Sequence, residues 1–171
     1  MKKSEIVKLA LERFQLDRDG IHGVAHWSRV SYHGEVLREI EGGDLEVIRM
    51  FSFFHDCCRE SDGHDVLHGD RAGEYVKSLY DSGKIRLTDS QMEVLLLAMR
   101  GHTGEIYHSD KTVQCCWDAD RLDLGRVGIQ PDPFYLNTDT AKVMIANSVY
   151  WSLFRKRVDR NLRIDGYSER V

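Results

Sequence analysis

The sequence predicts an all-α fold, a single domain over residues 1–171 built as a bundle of about seven helices. Three observations point there. The chain has only two prolines, Pro131 and Pro133, both in one stretch, so long proline-free segments carry apolar residues at helical spacing. Cap and stop signals recur between those segments, whereas the period-2 alternation of strands is weak throughout. With 171 residues, 42% hydrophobic and 30% charged, the chain can build one core but hardly two. No internal repeat, low-complexity tract or linker interrupts it.

Ile6, Leu9, Ala10 and Phe14 predict a first amphipathic helix over 4–16, ended by Asp17-Arg18-Asp19-Gly20. A second, over 24–41, carries the stripe Val24, Trp27, Val30, Leu37 and Ile40 and stops at Gly42-Gly43. Asp44 is a natural N-cap for a third, over 45–59, which is apolar almost all round from Met50 to Phe54 and so belongs at the centre. The polar loop Glu60-Ser61-Asp62-Gly63-His64-Asp65 precedes a fourth helix over 69–82. Thr88 and Gln91 form a capping box that opens a fifth helix ending near 101. Loop 104–110 leads to a sixth helix over 111–124, and loop 125–137 holds both prolines. A seventh helix, over 138–158, turns Ala141, Met144, Ile145, Val149, Leu153 and Phe154 inward. Its Tyr150, Trp151 and Phe154 are also a candidate homodimer surface, although burial against the core is the simpler reading.

A net charge of −4 disfavours a nucleic-acid polymer or an anionic membrane as partner. It leaves room for a small phosphorylated substrate, which needs only a local positive pocket. Cys57-Cys58 and Cys115-Cys116 lack the spacing of zinc ribbons or redox motifs and read as small buried thiols. The first residues form a charged amphipathic pattern rather than a secretory core, and no apolar run approaches the roughly 20 residues of a membrane span. The cytoplasm is the expected location.

Three apolar runs end in polar groups that are costly to bury. Met50–Phe54 runs into His55-Asp56, Val94–Met99 into Arg100-Gly101-His102, and Val113–Trp117 into Asp118-Ala119-Asp120. A fourth group, His26, shares a largely apolar helical stripe with Val30, His33 and Leu37. On a helix His55 and Asp56 diverge by about 100°, yet from a helix end they can reach one ion as a nitrogen and an oxygen ligand. Two imidazoles and two carboxylates suit Mn, Fe, Co, Ni or Zn, and the cation would offset the burial of the carboxylates. A hydrogen-bonded structural pair is the competing reading of His55-Asp56 alone. Asp118 can act as an outer carboxylate or exchange roles with Asp120. His22, His33 and His108 read as surface or structural residues.

The order His26, His55-Asp56, Asp120 resembles the signature of the HD-domain phosphohydrolase superfamily. The contexts are similar too: His26-Trp27-Ser28-Arg29-Val30 matches a His-x-x-Arg-Val helix, and Phe53-Phe54-His55-Asp56 an apolar run ending in His-Asp. Asp118-Ala119-Asp120-Arg121-Leu122-Asp123 is similar to the Asp-Ala-Asp-x-Leu-Asp stretch, in which the Asp after Ala is the ligand. The resemblance covers about 20–150. It implies a helical fold around one or two divalent ions (Mn, Fe, Co, Ni, Zn or Mg) held by His26, His55, Asp56 and Asp120. The activity it implies is hydrolysis of a phosphoester, commonly in a nucleotide. His68 and His102 resemble the extra histidines of two-metal members, with different spacing and no His-His pair. Arg59 stands where some one-metal nucleotidases carry an acidic residue.

On this reading Asp62, Asp65, His64 or His68 of the polar loop would move the proton, and Arg29, Arg59 or Arg121 would hold phosphate. Two other functions fit the same residues. One is a di-iron oxygenase, with His68 and His102 completing the ligand set. The other is a non-catalytic module that binds a nucleotide or a metal.

Overall fold

The computed structural model describes residues 1–147, which form seven α-helices and two short 3₁₀ turns, with no strand among them. The helices are α1 (Lys3–Arg13), α2 (Val24–Glu41), α3 (Leu45–Phe54), α4 (His68–Asp81), α5 (Asp89–Gly101), α6 (Lys111–Arg121) and α7 (Asp139–Ala146). The 3₁₀ turns, Leu124–Val127 and Pro133–Tyr135, lie between α6 and α7.

The hydrophobic pattern decides which helix is central. Val47, Ile48, Met50, Phe51, Phe53 and Phe54 of α3 are all buried, so this helix can be stable only when other helices surround it. It packs against α1, α2, α5 and α6, while α4 lies on α5 and α7 on α2. Each large α3 side chain contributes roughly 1.5–3 kcal/mol by leaving water. The Asp44 side chain starts the helix by accepting from the backbone amides of Glu46 and Val47. Close approach of α2 and α3 depends on Gly34, where a Cβ would lie 2.5 Å from the Ile48 Cγ2 methyl. Thr88 and Gln91 form the capping box of α5, and the Asp110 and Thr138 side chains cap α6 and α7.

Several boundaries differ from the sequence expectation. α3 stops at Phe54 rather than near 59, because the His55 ring reaches back to the Phe51 and Ser52 carbonyls and the chain tightens into turns through 58. α6 ends at Arg121, and the chain continues as the first 3₁₀ turn. α1 ends at Arg13, three residues early. Ile40, placed on the buried stripe of α2, is 67% exposed, because the last turn of that helix meets its neighbours through Glu41, which accepts from Lys111 and Thr140. His33 is fully buried. The second half of the helix expected over 138–158, including Tyr150, Trp151 and Phe154, lies outside the described residues. Among the described residues, no helix is long and apolar enough to cross a membrane.

Candidate metal centre

Four histidines converge where α2, the end of α3, the start of α4 and the end of α5 meet. Each enters with one ring nitrogen already committed. His26 donates from Nδ1 to Asp123 Oδ2 at 2.7 Å, and Arg29 clamps that carboxylate through Nε and Nη2, at 2.6 and 3.0 Å. The Nδ1 of His55 faces the Phe51 and Ser52 carbonyls at 3.1 and 3.2 Å. His68 Nδ1 lies 2.5 Å from the Asp65 carbonyl, and His102 Nδ1 lies 2.7 Å from that of Met99. Carbonyl and carboxylate oxygens can only accept here, so each Nδ1 keeps its hydrogen, and each ring offers an Nε2 lone pair when that nitrogen is unprotonated.

Those lone pairs meet. His26 Nε2 is 3.1 Å from His55 Nε2, and His68 Nε2 is 2.7 Å from His102 Nε2. Facing lone pairs at such separations repel unless a proton or a cation lies between them. Zinc-type bonds to imidazole are about 2.0–2.1 Å long, so each nitrogen pair falls within reach of one ion.

Asp56 joins the two pairs. Its Oδ2 lies 3.4 Å from His26 Nε2 and 3.5 Å from His55 Nε2, whereas its Oδ1 lies 3.1 Å from His68 Nε2 and 4.0 Å from His102 Nε2. Two donor triads, His26–His55–Asp56 and Asp56–His68–His102, therefore share one buried carboxylate. Asp120 adds a fourth donor to the first, its Oδ1 standing 3.4 Å from His26 Nε2 and 3.7 Å from His55 Nε2. That oxygen is buried without a hydrogen-bond partner, a costly state that a cation would relieve.

The electrostatics agree. Burial alone would push the His26 imidazole down, but Asp120, Asp123 and Asp56 beside it raise its pKa to about 9. Burial and the neighbouring His55 lower His102 to about 4. Burial also acts to raise Asp56 and Asp120, yet the imidazoles around them hold both well below the usual carboxylate range. The site thus keeps its carboxylates ionised and favours positive charge between them, which is what a divalent cation supplies. Nitrogen and oxygen donors of this kind fit first-row divalent metals.

A cavity of about 550 Å³ opens onto this cluster. Asp56, His102 and Asp120 of the cluster line it together with His22, Arg59, Asp62 and Arg126. Ile106, Val127, Ile129, Tyr135 and Leu136 add apolar wall.

The remaining sequence candidates separate clearly. Asp62 lines the cavity and bonds His22 Nδ1 at 2.8 Å. Asp65 does not line it: its carboxylate holds Arg71 and the Glu60 amide, while its carbonyl orients His68. His64 is exposed and away from the cavity lining. Arg29 serves Asp123 rather than the cavity. Arg121 lies at the cavity wall, but its guanidinium is bound to the Glu105, Ile106 and Tyr135 carbonyls and so ties two loops together. Arg59 lines the cavity while bonding Asp56 Oδ1 at 2.9 Å. Asp118 points away and anchors the start of α7 by accepting from Asn137 and Thr138.

Asp123, His22 and Arg126 were not singled out as site residues from the sequence. Asp123 closes the Asp118-to-Asp123 stretch, and His22 precedes His26 by one helical turn's worth of residues. Neither spacing by itself distinguishes a site residue from an ordinary polar one. Arg126 carries no sequence signal.

No family model matches the chain, and no curated protein matches it in sequence. Its structure is similar to the crystal structure of a predicted HD superfamily hydrolase from an uncultured Thermotogales bacterium. The two are 25% identical over 93% of this chain and 90% of that one, with a TM-score of 0.66. A Lactobacillus plantarum protein shares the fold at 20% identity, over 93% of this chain and 94% of that one, with a TM-score of 0.58.

Proposed function

We propose that this protein, which has the HD-superfamily hydrolase fold, is a metal-dependent phosphohydrolase acting on a phosphoester of a small metabolite, a nucleotide among the candidates. The observation that carries the reading is the shared carboxylate: Asp56 joins two buried donor triads at a cavity with arginines in its wall. His26, His55, Asp56 and Asp120 would hold one divalent ion, and Asp56, His68 and His102 a second. Such ions supply polarisation of a phosphoryl oxygen and a lowered pKa for the attacking water.

The chain's own groups do the rest. Asp123, locked by Arg29, fixes the ring of His26 so that Nε2 faces inward. Arg59 faces the cavity beside Asp56 and can bind a phosphate oxygen while steadying that carboxylate. His22, oriented by Asp62, takes and returns a proton at the cavity edge. The apolar wall holds the organic part of the ester away from bulk water.

The test is turnover of a panel of nucleoside and sugar phosphates by protein loaded separately with Mn, Co, Ni, Zn and Mg. Activity is expected with at least one metal and none in Asp56→Ala, which should lose metal and activity together. Full activity in Asp56→Ala would sink the assignment. The same donor set also suits two irons, so a di-iron oxygenase is the second reading. Consumption of O₂ by two-iron protein, with no phosphoester turned over, would favour it.

A further inference from the structure

We infer that Arg126 forms an anion-binding subsite of the cavity and holds an oxygen of the substrate's phosphoryl group next to Asp120. The inference rests on the phosphoester reading and adds a further residue that recognises the anion. It follows from what anchors each guanidinium and from which of them reach the cavity. Arg29 places Nε and Nη2 on Asp123 and is absent from the cavity wall. Arg121 gives Nη1 and Nη2 to three backbone carbonyls. Arg59 gives Nε to Asp56 and Nη1 to the Ser61 and Gly63 carbonyls, on the polar loop side.

Arg126 keeps Nη2, as Arg59 does, but its hydrogen-bonded anchors are backbone carbonyls and not a proposed metal ligand. Its Nε donates to the Ile21 carbonyl at 2.8 Å and its Nη1 to the Asp123 carbonyl at 3.2 Å. Two backbone anchors from separate segments thus fix the plane of the guanidinium before any ligand arrives. The side chain is only 10% exposed, it lines the cavity, and its Nη1 stands 4.0 Å from Asp120 Oδ1. Nη2 has no hydrogen-bond partner among the described residues. A desolvated, preoriented guanidinium with one free edge beside a proposed ligand carboxylate is built to receive an oxyanion. The carboxylates near Arg126 would repel an anion on their own; with cations between them, the guanidinium becomes the neighbouring donor for an oxygen held in the same cavity.

Inorganic phosphate is the probe, titrated calorimetrically into metal-loaded protein. Arg126→Gln is expected to weaken phosphate binding roughly 10- to 100-fold while metal content stays that of wild type. Arg126→Lys, which keeps the charge but loses the planar fork, should fall between the two. Unchanged phosphate affinity in metal-replete Arg126→Gln overturns the inference, as does failure of the loaded wild type to bind phosphate at millimolar concentration.

A second measurement needs no variant. Phenylglyoxal should modify Arg126 in the loaded wild-type protein, and phosphate should protect it, as read by peptide mapping. Equal modification with and without phosphate refutes the assignment. The two readings also fail separately. Phosphate held at Arg126 with no ester turned over removes the hydrolase and keeps the subsite. Turnover with phosphate affinity indifferent to Arg126 does the reverse.

Discussion

Replacing His102 by Gln tests whether the cluster holds one ion or two. The substitution removes one of the three donors in the Asp56–His68–His102 triad and leaves His26, His55, Asp56 and Asp120 in place. Only Asp56 Oδ1 and His68 Nε2, 3.1 Å apart, remain for the second ion. Loss of an outer-shell partner typically costs 10–100-fold in metal affinity, and a lost ligand costs at least the upper end of that. At free metal 100 times the wild-type dissociation constant, the second site contributes about 2.7 kcal/mol to stability. A site weakened 100-fold contributes about 0.4 kcal/mol under the same conditions. The difference, about 2.3 kcal/mol, corresponds to roughly 5–9 °C in Tm for a domain of this size. The assay compares the metal-induced rise in Tm for wild type and variant, each against its own chelated form, so that any cost to the bare fold cancels. Elemental analysis should find about two ions per wild-type chain and about one in the variant. A wild type that saturates with one ion, or a variant that keeps two with the full rise in Tm, would refute the shared-carboxylate reasoning.

Three further perturbations probe the supports of the site. Asp123→Asn removes the charge that orients His26 and should weaken the first ion by roughly 10–100-fold; competition against a fluorescent chelator measures it, and wild-type affinity would remove Asp123 from the site. Gly69→Ala should separate α4 from α5, because its Cβ would overlap the Met99 carbonyl oxygen and lie 3.1 Å from His102 Cε1. We expect a cost of about 1–3 kcal/mol in urea unfolding together with loss of the second ion, and a variant that loads two ions normally would contradict this. His33, driven down to about 3 by burial, stays neutral in the fold while the unfolded chain protonates near 6.5. Its contribution is therefore complete above pH 6.5 and is lost as the pH falls toward 3, by at most ~1.4 kcal/mol per pH unit. Urea unfolding across that window should show a shallower pH dependence in His33→Gln, and identical slopes would exclude His33 as a source.

The helices were legible because local chemistry fixes them. Asp44, Thr88 and Asp110 cap α3, α5 and α6 through bonds spanning two or three residues, so the signal and the structure lie within one turn. Helix ends were less legible. α3 stops where the His55 ring takes the Phe51 and Ser52 carbonyls, and the same residue type in another rotamer would let the helix continue. The fate of Ile40 depended on which side of the last turn of α2 its neighbours cover, which periodicity within α2 does not record.

At the site, the spacing of His26, His55-Asp56 and Asp120 named the residues that the fold gathers, because His55-Asp56 and Asp120 follow apolar runs and His26 lies on a largely apolar stripe, so each has few places to go. The arginines were harder for the opposite reason. Arg29 and Arg121 stand beside proposed ligands in sequence, but sequence proximity sets where a guanidinium starts and not which acceptor consumes it. Arg29 meets Asp123 across 94 residues, and Arg121 spends its donors on the carbonyls of two loops. Arg126 gives Nε and Nη1 to the Ile21 and Asp123 carbonyls and still lines the cavity beside Asp120. An arginine's role here is decided by which acceptors anchor it and whether it reaches the cavity, and both exist only once the backbone carbonyls are in place.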